Sequence, residues 1–294
     1  MEFIPAKTIV SGYAENNNWF GCNYNMNIYK GCNHGCIYCD SRSDCYHVEN
    51  FDQVRAKENA LELIYRDIKS KRKKGVIGTG AMSDPYNPFE KQLELTRSAL
   101  KIIDAFGFGA SIATKGTLVT RDIDILQKIK KHSPVLIKMT ITNCDDSIAK
   151  KIEGNAPLSS ERFAAIRKLN EAGLFAGILM MPVLPFIGDN EENILGIVRR
   201  AHENGAKFIF PGLGVTLRAN QRDWYYSELD EAFPGKKEQY IKEFGDTYSC
   251  HSPRLKHLFT LFKEECHRYG LLYKMGDIIS AYKKGYYDRQ LSLI

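Results

Sequence analysis

Cys32, Cys36 and Cys39 stand within one short run, Tyr29-Lys30-Gly31-Cys32-Asn33-His34-Gly35-Cys36-Ile37-Tyr38-Cys39-Asp40. The spacing is C-x3-C-x2-C, directly after a short apolar stretch that reads as a strand. Three thiolates this close in sequence can each take one iron of a cubane [4Fe-4S] cluster. Four irons need four ligands, so one iron keeps an open position where a cofactor can chelate. Zinc is the competing reading, with Cys45 or His47 as the fourth ligand of a tetrahedral site. A disulfide framework does not suit a chain of 294 residues whose start, Met1-Glu2-Phe3-Ile4-Pro5, lacks the basic and apolar regions of a signal peptide.

The bulk numbers are those of a globular protein, 44% hydrophobic and 26% charged. No apolar run reaches the length of a membrane span, and the expected setting is the cytoplasm. A net charge of +6 permits a polyanion partner without requiring one. The densest basic run, residues 69–74, falls at a predicted helix end, where cations favour the dipole and water.

Elements must bring the cysteines to other reactive groups, and the pattern after the cysteine loop alternates strand and helix. Strands are predicted at 25–30, 76–79, 110–114, 135–142, 174–181 and 207–210. Helices are predicted at 56–73, 93–106, 122–131, 147–153, 161–172 and 189–204. Ser159 or Ser160 reads as the N-cap of the fifth helix, and Asp189 with Glu192 as a capping-box start for the sixth. Six β/α units in succession predict an α/β fold with a parallel sheet, an open, partial (β/α)6 TIM-like barrel. Its reactive residues belong at the C-terminal ends of the strands. After about residue 215 the pattern turns mainly helical (236–244, 254–269, 277–284). The expected organisation is a barrel over 1–214 and a mainly helical C-terminal cap over 215–294.

Polar groups recur at the predicted strand ends. The second strand runs into Gly80-Ala81-Met82-Ser83-Asp84-Pro85, where Ser83 and Asp84 can accept from an ammonium, or simply form a capped turn. Lys115 follows the third strand and can pair with a carboxylate, or stand as a surface lysine. Thr140 and Thr142 alternate on the fourth strand and share one face, either as ligand-facing hydroxyls or as β-branched strand filling. Cys250, between predicted C-terminal helices, is a hydrogen-atom donor or a structural thiol. Cys266 reads as core.

The cysteine spacing, with an aromatic before the third cysteine, resembles the radical S-adenosylmethionine (SAM) superfamily. The Ser-Asp turn, the Thr-Lys pair and the hydroxyl-bearing fourth strand make residues 20–210 resemble spore photoproduct lyase and its relatives. The resemblance implies that the open iron binds the amino and carboxylate groups of SAM. One electron from the reduced cluster then breaks the C–S bond, and the 5′-deoxyadenosyl radical abstracts hydrogen from substrate. It further implies Ser83, Lys115 and Thr140 as SAM contacts, Tyr38 near the radical path, and an electron donor such as flavodoxin or ferredoxin. There are two departures. In the lyase a hydrogen-donating cysteine precedes the Ser-Asp pair, where this chain has Ala81, or Met82 if the register slips by one, and a second tyrosine follows the third cluster cysteine, where this chain has Asp40. Two substrate classes remain: a nucleobase, nucleotide or nucleic acid, or a peptide or small metabolite. A zinc-stabilised module without chemistry stands as the third reading.

Overall fold

Val76-Ile77-Gly78-Thr79 and Val135-Leu136-Ile137-Lys138-Met139-Thr140 are near-continuous apolar runs, the pattern of strands covered on both faces. The computed structural model, which describes residues 1–13 and 19–286, builds them into a parallel sheet. In chain order the first elements are β1 (Glu2–Ile4), β2 (Val10–Gly12), β3 (Tyr24–Met26), β4 (Tyr29–Lys30), β5 (Arg55–Lys57), α1 (Ala60–Lys69) and β6 (Val76–Thr79). Then come α2 (Glu90–Leu93), α3 (Leu95–Ala105), β7 (Gly109–Thr114), α4 (Ile123–Lys130), β8 (Val135–Thr140) and α5 (Asp146–Ile152). α6 (Ser159–Glu171), β9 (Ala176–Met180), α7 (Glu191–Glu203) and β10 (Ile209–Pro211) complete the alternation. The sheet order is β10-β9-β8-β7-β6-β3-β2, parallel from β10 to β3, with β2 antiparallel. β10 and β2 are its two edges, so the predicted partial barrel with six parallel strands stands open.

The outer face of the sheet packs against the helices. Ile64, Ile68, Leu100, Ile103, Leu126, Ile129, Ile166 and Leu169 bury the helix stripes against Ile77, Ile112 and Ile137. Each such side chain contributes about 1.5–3 kcal/mol relative to exposure. The inner face is smaller and mixed, with Val76, Leu136, Leu179 and Phe208 meeting Phe20 and Cys22.

Several boundaries differ from the sequence pattern for identifiable reasons. The predicted first strand splits. β3 stays in the barrel sheet, while β4 pairs with β5 in a separate three-stranded sheet. Both pieces are extended and each pairs a tyrosine with a polar residue, so composition could not show the change of partner. At α6 the N-cap is Leu158, and Ser159 and Ser160 are the first helical residues. Glu161 accepts from the Leu158 amide at 2.7 Å, Asp146 accepts from the Ser160 amide at 2.9 Å, and Ser159 Oγ donates to the Asn143 carbonyl. α7 begins after Asn190, which caps the Asn193 amide, while Asp189 accepts from Ser252 Oγ at 2.6 Å.

Residues after 213 add β11 (Gly214–Thr216), α8 (Gln221–Ala232), α9 (Lys236–Phe244), β12 (Ser249–His251), α10 (Leu255–Tyr269) and α11 (Met275–Lys283). The β11–β12 ribbon and α8 had no clear sequence signal, because three-residue strands are too short to show alternation. These elements reach three places. β11, β12, α8 and α9 pack on the cysteine loop through Val215, Tyr225, Tyr240 and Cys250. α10 lies against α7. α11 covers the inner sheet face near the strand starts, where Ile278 and Tyr282 meet Val76 and Leu136. Residues 287–294 of the expected cap lie outside the described residues.

Lys138 points into that inner layer and is 2% exposed. Its Nζ donates to Ser111 Oγ at 2.8 Å and stands 4.8 Å from the Phe20 ring. Burial lowers its pKa from 10.5 to about 8, against a smaller opposing effect of Cys22. The folded state therefore binds fewer protons than the unfolded chain between those two values, and stability rises with pH through that window. Lys138→Met removes this slope and stabilises the protein near neutral pH by about 1–2 kcal/mol, the gain from an avoided buried charge less the orphaned Ser111 hydroxyl. Guanidinium denaturation at intervals from neutral to pH 10.5 checks it; an unchanged slope would sink the expectation.

Candidate active site

The cysteine loop leaves β4 through Gly31, whose φ is +80°. A Cβ there would lie 2.6 Å from the Gln53 carbonyl oxygen, so only glycine allows the turn. The loop is then tied down by backbone bonds from Cys32 N to Phe51 O (2.8 Å), Ile37 N to Ile152 O (3.0 Å) and Asn155 N to His34 O (2.9 Å). Across from it, Gly80 with φ +93° lets the turn after β6 lie on the end of β7, where a Cβ would fall 1.8 Å from Ala113 O.

These two close approaches bring the strand ends together. Cys32, Cys36 and Cys39 line one cavity of about 150 Å³ with Ser83, Asp84, Lys115 and Thr140, and with His34, Ala81 and Leu179. The sequence-predicted residues thus converge with three exceptions. Tyr38 is buried behind the cysteines and is not part of the lining. β8 ends at Thr140, so the assumed alternation does not continue to Thr142. Thr142 is buried with no hydrogen-bond partner for its Oγ1 and is not part of the lining. Cys250 is fully buried on β12, 3.5 Å from the Thr247 carbonyl oxygen that its thiol donates to. It shares a packed cluster with Tyr38, Tyr225 and Tyr240 but does not reach the cavity wall.

Asp84 organises the wall. Oδ1 accepts from Thr114 Oγ1 at 2.6 Å and the Tyr86 amide at 2.8 Å, and Oδ2 accepts from the Lys115 amide at 2.7 Å. His34 Nδ1 lies 3.5 Å from the same carboxylate, and burial lowers the histidine pKa despite it. Ser83 Oγ donates to the Tyr29 carbonyl at 2.9 Å.

A second set of charges lies behind the cysteines, and sequence reasoning had not singled it out. Glu153 is 1% exposed and accepts from the Tyr38 hydroxyl. Arg162 lies 2.5 Å from one Glu153 oxygen, and Lys115 Nζ lies 3.9 Å from the other. Arg162 also donates to the carbonyls of Pro157 and Thr140 at 2.8 and 2.9 Å. Arg162 sits in the first turn of α6 and Glu153 just past α5, so their sequence contexts read as ordinary helix ends. The turn residues Gly154 and Pro157 were the available hint that the chain returns here to the strand ends.

Burial pushes each of the three cysteine thiols up to about 11. Lys115 opposes this at Cys36 and Cys39, and Asp84 adds to it at Cys32. The bare thiols are therefore protonated near neutral pH, and a metal that takes all three displaces their protons. The Lys115 pKa is raised: burial disfavours its ammonium, but the Cys36 thiolate and Glu153 outweigh that. While the bare thiol is protonated, Glu153 is the anion that faces the ammonium. A small cavity with three cysteine sulfurs, one fixed cation and four hydroxyl-bearing side chains, Ser41, Ser83, Thr114 and Thr140, can hold a metal–sulfur group and an anionic chelator beside it.

The sequence profile of the Radical SAM superfamily matches residues 26–216. An uncharacterized protein of Methanocaldococcus jannaschii is 37% identical over 174 residues, 58% of this chain and 64% of that protein. One of Mycobacterium tuberculosis is 28% identical over 221 residues, 72% of this chain and 64% of its own length. The chain thus spans a little under two thirds of the length of these relatives. Among solved structures, a spore photoproduct lyase variant superimposes with a TM-score of 0.64 at 14% identity, over 91% of this chain and 79% of that one. Another variant, with bound AdoMet and dinucleoside spore photoproduct, gives 0.60 at 15% identity over 84% and 74%. A radical S-adenosylmethionine methyltransferase from Kitasatospora setae gives 0.54 at 9% identity over 83% and 51%. At these identities the likeness is one of fold.

Proposed function

The chain belongs to the radical SAM superfamily, and from that premise we propose that Cys32, Cys36 and Cys39 hold a [4Fe-4S] cluster and that the enzyme acts on a nucleobase or nucleic acid. A cluster of this kind supplies one electron to SAM, whose C–S bond breaks to methionine and a 5′-deoxyadenosyl radical. The observation that carries the cluster reading is the convergence of three thiols on one cavity beside Lys115, Ser83 and Thr140. Zinc fits less well. Cys45 and His47 are exposed, and the described residues contain no group of three or more His, Cys, Asp or Glu placed to take a single metal ion. Donors spread around a cavity suit several irons better than one ion.

In this reading Lys115 takes the SAM carboxylate, Ser83 lies near the methionyl end and Thr140 bounds the cavity floor. Tyr38, held by Glu153, stands between the second and third cysteines with its ring 5.4 Å from Lys115 Nζ. Lys115→Ala weakens SAM binding by about 1–3 kcal/mol, the scale of a lost charged hydrogen bond. Equilibrium dialysis with the cluster-loaded variant measures it, and an unchanged dissociation constant removes Lys115 from the site.

The nucleic-acid reading draws on the surface next to the cysteine loop. Arg42 is sandwiched between Phe51 and Trp224, at 4.9 and 4.1 Å, and Arg218 stands over Tyr46 and Tyr248. Trp224 and Tyr248 are 37% and 46% exposed. Guanidinium–aromatic faces of this kind stack bases. The deciding experiment is anaerobic incubation of reduced enzyme and SAM with single-stranded DNA, RNA, nucleotides or peptides, reading 5′-deoxyadenosine. Nucleic acid or nucleotide should raise it above the substrate-free rate; stimulation by peptides alone overturns this substrate class.

Spore-type thymine dimers are not the expected substrate. Ala81 and Met82, the two positions that match the lyase's thiol in either register, both line the cavity, and neither a methyl group nor a thioether has the weakly bound S–H hydrogen to give. Asp40, at the position of the second tyrosine, is paired with Arg218 at 3.0 Å and accepts from Tyr46 at 2.7 Å. Dinucleoside spore photoproduct should not be converted cleanly to thymidylyl-thymidine, and repeated turnover to that product would refute this. Radical SAM enzymes need an electron donor. A small acidic carrier such as flavodoxin or ferredoxin in a reducing cytoplasm suits this one. No helix among the described residues is long and apolar enough to cross a membrane.

A further inference from the structure

Four buried charges surround the cysteine cavity. Lys115 and Arg162 are the cations, and Glu153 and Asp84 the anions. Glu153 and Arg162 side chains are each 1% exposed, Asp84 7% and Lys115 15%. His34, the remaining titratable group there, has its pKa lowered by burial. The formal charges cancel, so removing any one leaves a net unit charge where water cannot screen it. Glu153 is tied to the cysteine run twice. Its backbone bridges to Cys36, and its carboxylate accepts from Tyr38. Arg162 reaches the same carboxylate from the start of α6, and Lys115 from the end of β7.

A [4Fe-4S] core on three thiolates carries one negative charge when oxidised and two when reduced. Each fixed charge close to it therefore acts on the two states unequally, and burial and hydrogen bonding around a cluster are known levers on its potential. We infer that the Arg162–Glu153–Lys115 triad sets the reduction potential of the group held by Cys32, Cys36 and Cys39. Glu153 opposes reduction, and the two cations favour it. Arg162 and Glu153 act as positioning residues, because neither lines the cavity. The inference rests on the cluster reading above.

The test is an anaerobic redox titration followed by electron paramagnetic resonance, on wild type and on variants of matched iron and sulfide content. Glu153→Gln keeps a partner for Tyr38 and should shift the midpoint to a more positive potential. Arg162→Gln and Lys115→Gln should shift it to a more negative one, and the Glu153→Gln/Arg162→Gln double variant should return close to wild type. Lys115→Gln leaves the Glu153–Arg162 pair intact, so it decides the sign even where the deeper variants do not fold. A general loosening of the loop would move the Glu and Arg variants in the same direction. Shifts of one sign, or none in loaded protein, overturn the inference. Wild type that takes up no iron and sulfide overturns the cluster reading instead.

Discussion

Alanine at any one of Cys32, Cys36 or Cys39 abolishes SAM cleavage, and the triple variant retains no stable iron. The three thiols come from one loop, each a single donor on the same cavity of about 150 Å³. Each is buried enough to sit near pKa 11 when metal-free. Their deprotonation is thus unfavourable alone and is driven by metal bonds, which makes the loss of one donor costly to the other two. An exposed replacement donor is a poor substitute, since Cys45 lies outside the cavity wall. Wild type reconstituted without oxygen should hold about four irons and four sulfides per chain, with 5′-deoxyadenosine formed on reduction in the presence of SAM. Full iron loading of the triple alanine variant, or stoichiometric zinc in protein purified without oxygen, would show that these cysteines do something else.

Glu153→Ala destabilises the protein by about 3–5 kcal/mol, the cost of leaving one partner of a buried ion pair unpaired. That is a large share of the roughly 5–15 kcal/mol by which domains are stable. The effect comes less from attraction lost than from Arg162 left charged at 1% exposure, with only the Pro157 and Thr140 carbonyls to face. The Tyr38 hydroxyl loses its acceptor at the same time. The pH dependence has a definite sign. Burial raises the Glu153 pKa, but Arg162, Lys115 and the hydrogen bonds outweigh it and hold it below the ordinary 4.5. The stability that Glu153 contributes is therefore present above that value and is lost as the pH falls through the depressed folded pKa. Denaturant midpoints near neutral pH should separate wild type from the variant clearly, and the gap should narrow in acid. A difference below about 1 kcal/mol near neutral pH would mean that water reaches Arg162 and the pair is not sealed.

Glu153 and Arg162 also mark the limit of what could be read before the fold. The cysteine spacing needs no tertiary structure to be recognised, because a loop that short brings its thiols together whatever surrounds it. The alternation of apolar strands with amphipathic helices is local too, and it led directly to the parallel sheet, the open barrel and the strand-end positions of Ser83, Asp84, Lys115 and Thr140. Thr142 was misplaced because periodicity does not say where a strand stops; β8 ends two residues earlier. β4 left the barrel because two extended segments of like composition can choose different partners.

What the sequence by itself determined was the three-cysteine loop, the order of the β/α units and the barrel end at which that loop meets the polar strand-end residues, since each follows from neighbours in the chain. Tertiary structure alone decided the charges behind that loop. It joined Tyr38, Lys115, Glu153 and Arg162 from four separate elements, and it made each charge matter by taking it out of water. It also set Lys138 in a layer where no carboxylate among the described residues faces it, and Cys250 in a packed core away from the cavity. Charge, burial and partner are properties of the assembled layers, and no periodicity along the chain encodes them.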